Sequence, residues 1–119
     1  MTALDPGEGV DGVAVVRQFT EAFLSARLEE MTALLAPDCH DRNPEPHQPT
    51  GAFGVVWKAA LFHAVHGGFE TRFGAVVTAS GLVVAEWVTT FADGTVTQWR
   101  GDFMVSRGQI RRFEVHRVG

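Results

Sequence analysis

From Val13 onward apolar residues recur at helical spacing: Val13, Val16, Phe19, Phe23 and Leu24, with Arg17, Gln18 and Glu21 between them. Asp11 is placed to cap this helix. Leu28 to Leu35 predicts a second, shorter helix, stopped near Pro37. Cys39 to Asn43 reads as a short extended piece closed by Pro44. Pro44, Pro46 and Pro49 then make a loop that ends at Gly51. Phe53 to Val65 predicts a third helix, with Val56, Trp57, Ala60, Leu61 and Ala64 on one stripe and Gly67-Gly68 as its stop. Beyond Gly68 the pattern changes to alternation. Phe69–Thr78, Leu82–Phe91, Thr95–Ser106 and Gln109–Val118 predict four strands. Ser80-Gly81, Asp93-Gly94 and Arg107-Gly108 separate them and suit tight hairpins.

Helices followed by a run of hairpins predict an α+β fold, with helices packed on one face of an antiparallel sheet. Residues 1–10, with Pro6, Gly7 and Gly9, read as a loose terminus, and residues 11–119 as a single domain. In Leu82–Phe91 both faces are largely apolar. Leu82, Val84, Glu86, Val88 and Thr90 form one. Val83, Ala85, Trp87, Thr89 and Phe91 form the other, which is expected to meet a second subunit in a homodimer. Trp99, Gly101, Phe103 and Val105 predict the internal face of the next strand. Phe113 and Val115 oppose Arg112, Glu114 and His116 in the last.

Charge and cysteine usage narrow the partners. Ten Lys+Arg against fourteen Asp+Glu give a net charge of −4, with no basic block. That argues against nucleic acid and against an anionic membrane surface. The one cysteine, Cys39, excludes an internal disulfide and a zinc–thiolate cluster. No signal peptide or apolar span is evident, which predicts a cytoplasmic protein. His63 and His66 stand three apart, but no acidic residue lies at ligand spacing, so no metal is expected.

The stretch Phe19 to Gly51 resembles the SnoaL-like group of the nuclear transport factor 2-like superfamily. It carries a short acidic helix (Glu29–Leu35), Asp38 before an extended piece, Asn43-Pro44, and Gly51 opening the long helix. Ser106 to Val115 looks like that group's closing hairpin. The resemblance implies a cone-shaped, cystatin-like α+β barrel, in which a curved antiparallel sheet and three N-terminal helices enclose a pocket, commonly in a homodimer. The group includes ketosteroid isomerases, polyketide cyclases, epoxide hydrolases and plain binding modules, and fold does not choose among them.

The isomerases' tyrosine donor and aspartate base fall on Phe19 and Asn43, which cannot serve. The epoxide hydrolases' Arg-x-Asp falls on Val84 and Glu86, and their last acid near Val115, so that machinery is absent too. The cyclases need less: one acidic base and a polar donor. Glu86, among Leu82, Val84 and Val88, is the expected base, since apolar surroundings would raise its pKa. His40, Asp41 or His116 would be the donor. Asn43, Trp57, Phe19, Trp99, Phe103 and Val84 would hold the substrate. The expected activity is cofactor-independent cyclisation or isomerisation next to a carbonyl of a small hydrophobic substrate. The alternative is a non-catalytic module of the same fold that binds a small ligand or only dimerises.

Overall fold

The N-terminal half places three helices and one strand before the hairpins begin. A computed structural model of the chain describes residues 6–118. Helix α1 spans Pro6–Leu24, α2 Leu28–Leu34, strand β1 Leu35–Asp41 and α3 Gly51–Val65. Then come β2 Glu70–Ala79, β3 Leu82–Thr90, β4 Val96–Ser106 and β5 Gln109–Arg117. The α+β reading holds, and apart from α1 and β1 the element limits fall within a few residues of those expected.

Three details differ. Helix α1 starts at Pro6, so Asp11 lies inside it and is not its cap. Proline suits a first helical turn, because its missing N–H would have had no partner there. The rest of the expected loose terminus, residues 1–5, lies outside the described residues. Strand β1 runs from Leu35 to Asp41, through Pro37 and ahead of the expected Cys39–Asn43. It pairs in parallel with β5, so the sheet is mixed rather than wholly antiparallel.

The sheet order is β1-β5-β4-β3-β2. Both central residues of the Ser80-Gly81 and Arg107-Gly108 turns have positive φ, the geometry that matches strand twist in two-residue hairpins. One bulge matters. Phe73 opposes Trp87 and Val76 opposes Ala85, so Gly74 and Ala75 together face Glu86. The extra residue bends β2 and strengthens the sheet's curl.

The concave face carries Val83, Ala85, Trp87 and Thr89 of β3, together with Phe103 of β4 and Phe113 of β5, all buried. Helices α1 and α3 supply Val16, Phe19, Val55 and Ala59 to the same core. The β3 face expected to form a dimer interface is therefore the inside of the domain. Its apolar character is that of a core strand covered by helices. A strand pattern reports that a face is buried, but not by which neighbour. Gly101 leaves room on this face: a methyl group there would sit 2.6 Å from Cε1 of Phe103.

Candidate functional site

Between the helices and the concave face lies a cavity of about 300 Å³. Its sheet wall is Trp87, Trp99, Phe103, Phe113 and Val115, and α1 contributes Phe19, Thr20, Phe23 and Leu24. From α3 come Lys58 and Phe62, and the loop after β1 adds Asn43, Pro44 and Glu45. The aromatic walls brace one another. Phe103 and Phe113 stack at 5.6 Å between ring centres, Phe19 meets Phe103 edge-on at 6.0 Å, and Phe23 meets Phe62 at 5.9 Å. A cavity this apolar suits hydrophobic ligands.

The polar groups cluster where β1 ends. The alternation of β1 turns Cys39 and Asp41 inward and leaves His40 exposed. Oδ1 of Asp41 accepts the Asn43 backbone N–H at 2.9 Å. Oδ2 accepts the Gln48 side-chain amide at 3.1 Å and the Lys58 ammonium at 2.9 Å. Lys58 also donates to the Asn43 carbonyl at 2.9 Å. The Asn43 side chain donates to the Val115 carbonyl at 2.9 Å, tying the loop to β5. The Asp41 side chain is 4% exposed and that of Lys58 16%, so this ion pair is largely out of water. A buried carboxylate needs such a set of donors to stay charged at tolerable cost. The indole Nε1 of Trp99, another cavity residue, is buried with no hydrogen-bond partner.

Burial pushes the Cys39 thiol up to about 12, with the nearby Asp41 and Asp38 carboxylates adding to the effect. Cys39 is thus a core side chain, poorly suited to act as a nucleophile at neutral pH.

Of the expected substrate-holding residues, Asn43, Phe19, Trp99 and Phe103 line the cavity. Trp57 and Val84 do not: Trp57 faces elsewhere on α3, and Val84 belongs to the convex face of β3. Of the expected acid–base residues, Asp41 reaches the site, as the partner of Lys58. Glu86 does not. It is exposed beside Gly74 and Gln98 on the convex face, because its strand neighbours Ala85 and Trp87 take the inside. His116 sits opposite Val115 in the alternation of β5 and likewise faces away from the cavity, and His40 is exposed. His63 is occupied by the Phe23 carbonyl at 2.7 Å, and His66 packs on Phe62 and Phe91. Among the described residues no group of three His, Cys, Asp or Glu side chains is placed to hold a metal.

Sequence reasoning passed over Lys58 and Glu45. The signal for Lys58 was present: it is the only lysine of the chain, and it interrupts the apolar run from Gly51 to Phe62.

Residues 16–117 match the family model of the SnoaL-like domain. The chain belongs to the SnoaL-like family. Solved structures agree on the fold. A candidate polyketide cyclase of Bacillus cereus ATCC 10987 superposes with a TM-score of 0.84 at 14% identity, over 96% of this chain and 78% of the other. A candidate ketosteroid isomerase of Kribbella flavida DSM 17836 gives 0.79 at 16%, over 94% and 81%. Wild-type IdmH of Streptomyces antibioticus, a candidate polyketide cyclase, gives 0.73 at 18%, over 87% and 89%. At these identities the likeness is one of fold. No curated protein matches in sequence. Like those folds, this SnoaL-like chain closes a curved sheet with three helices, and none of its described helices is long and apolar enough to cross a membrane.

Proposed function

We propose that this SnoaL-like protein binds a small hydrophobic molecule between its helices and the concave face of its sheet. The observation that carries this reading is the cavity of about 300 Å³ walled by Phe and Trp side chains. An apolar cavity of about 150 Å³ accommodates a single benzene ring, so roughly twice that volume suits two fused rings. Trp87 and Trp99 both line the space, so their fluorescence should report binding directly. Titration with naphthalene should quench or shift it. Val115→Phe, which fills the cavity from β5, should weaken binding at least tenfold while circular dichroism stays native. A saturable signal that survives this filling would remove the cavity from the reading.

Acid–base catalysis on the bound molecule is the second reading. Lys58 and Glu45 both stand on the cavity wall, and Asp41 holds Lys58 in place. Lys58 would donate to a substrate carbonyl, and the Glu45 carboxylate would take a proton from the adjacent carbon. No cofactor is required for that step. Exchange of the methyl protons of 2-acetylnaphthalene in D₂O tests it. Exchange above the buffer rate, lost in both Lys58→Met and Glu45→Gln, is expected, and exchange at the buffer rate alone leaves a binding protein.

A free cysteine as the chain's only one suits a reducing compartment, which supports a cytoplasmic location. A homodimer, if formed, uses a surface other than the concave face. Val77, opposite Val84 on the convex face, is exposed on edge strand β2, and sedimentation at micromolar concentration tests this.

A further inference from the structure

Lys58 reaches the cavity with its charge already answered. Of its three ammonium protons, one goes to Oδ2 of Asp41 and one to the carbonyl of Asn43, each at 2.9 Å. One proton remains for a third acceptor, and the side chain is part of the cavity wall. The counter-charge is built in, since the Asp41 carboxylate is almost fully buried. Glu45 adds a second negative group at the same end of the cavity. A ligand oxygen approaching Lys58 therefore meets a directed N–H donor but no net positive charge.

We propose that Lys58 is the specificity-determining donor of this cavity, and that its pairing with Asp41 makes it select an uncharged oxygen acceptor, a ketone or ester carbonyl, over a carboxylate. The inference rests on the ligand-binding reading above and deepens it. A neutral carbonyl gains a charge-assisted hydrogen bond and surrenders little hydration. An anion must shed its hydration to enter an aromatic cavity. The ammonium it meets is already shared with Asp41, so the Coulombic return is small. Removing the Asp41 charge should reverse the order, because Lys58 would then face the cavity as an unpaired cation.

Three probes of one ring size separate the contributions: naphthalene, 2-acetylnaphthalene and 2-naphthoate, titrated at pH 7 by tryptophan fluorescence. Wild-type protein should bind 2-acetylnaphthalene at least about tenfold more tightly than either 2-naphthoate or naphthalene. Lys58→Met should bring 2-acetylnaphthalene down to the level of naphthalene, with naphthalene itself unchanged. Asp41→Asn should raise the affinity for 2-naphthoate about tenfold or more. A wild-type preference for 2-naphthoate would overturn the proposal. So would a Lys58→Met protein that keeps the full preference for the ketone. Should Asp41→Asn fail to fold, the wild-type ranking and Lys58→Met still decide the matter. Failure of all three probes to bind wild-type protein would overturn the ligand-binding reading itself. Equal binding of all three would leave that reading standing and reject only the role given to Lys58.

Discussion

The ammonium of Lys58 lies 2.9 Å from Oδ2 of Asp41, linking the middle of α3 to the last residue of β1 across the rim of the cavity. The two residues are seventeen positions apart, with the proline-rich loop between them. The pair fixes one wall of the site against another. It also fixes the loop, because Asn43 bonds to both partners.

Lys58→Met should therefore cost stability as well as alter binding. Asp41 would keep the Asn43 and Gln48 donors but lose its cation, a loss of about 1–3 kcal/mol. Asp41→Asn should cost a similar amount. The double variant should be less destabilised than the sum of the two, by about 1 kcal/mol or more, since each single change strands the other group. Urea unfolding of the four proteins measures this. Strict additivity would mean that the pair contributes no coupling.

Gly101→Ala should destabilise the fold by about 1–3 kcal/mol. The added methyl would lie 2.6 Å and 2.9 Å from two atoms of the Phe103 ring and 3.2 Å from Val115. Phe103 is fully buried and stacked on Phe113, so it has little freedom to withdraw. Thermal unfolding should show the lower midpoint. Naphthalene affinity should fall too, because both displaced side chains line the cavity.

Cys39 should resist alkylation in the native protein. With its thiol pushed up to about 12 from 9.0, the thiolate population at pH 8 is about a thousandfold smaller than that of an exposed cysteine. Iodoacetamide should label it only after denaturation, and mass spectrometry reads the difference. The same displacement sets a direction for stability. Above pH 9 the unfolded chain loses the thiol proton while the folded chain keeps it, so stability falls as pH rises from about 9 to about 12. Cys39→Ala should remove that contribution to the alkaline slope.

Thr89→Val should leave the protein as stable as before or raise its stability by about 1 kcal/mol. Thr89 is fully buried on β3, and its hydroxyl has no hydrogen-bond partner. Valine keeps the shape and the β-branch and removes the unsatisfied group. Loss of more than about 1 kcal/mol in urea unfolding would show that the hydroxyl is satisfied in solution, by a bound water for example.

Most of the fold was legible in the chain because it follows from local chemistry. The change from helical spacing to alternation after Gly68 marked the junction of α3 and β2. Ser80-Gly81 and Arg107-Gly108 marked two hairpins whose positive φ values call for such residues. Phe19, Asn43, Trp99 and Phe103, expected from the sequence to hold a substrate, line the cavity. The convex or concave sense of β3 was not legible. Val83, Ala85 and Trp87 are about as apolar as Leu82, Val84 and Val88, and alternation alone fixes no inside.

What the sequence determines by itself is the succession of elements, the turns between them and the SnoaL-like family, since these depend on residues near one another in the chain. The site depends on contacts across it. Glu86 looked buried because its same-face strand neighbours are aliphatic, yet α1 packs against β3 on its other face and leaves Glu86 in solvent. Lys58 has no acidic residue near it on its own helix, yet folding sets it beside Asp41 and draws both out of water. Only the tertiary structure decides which charge is solvated and which is paired, because burial and ion pairing are set by neighbours that the chain brings together from a distance.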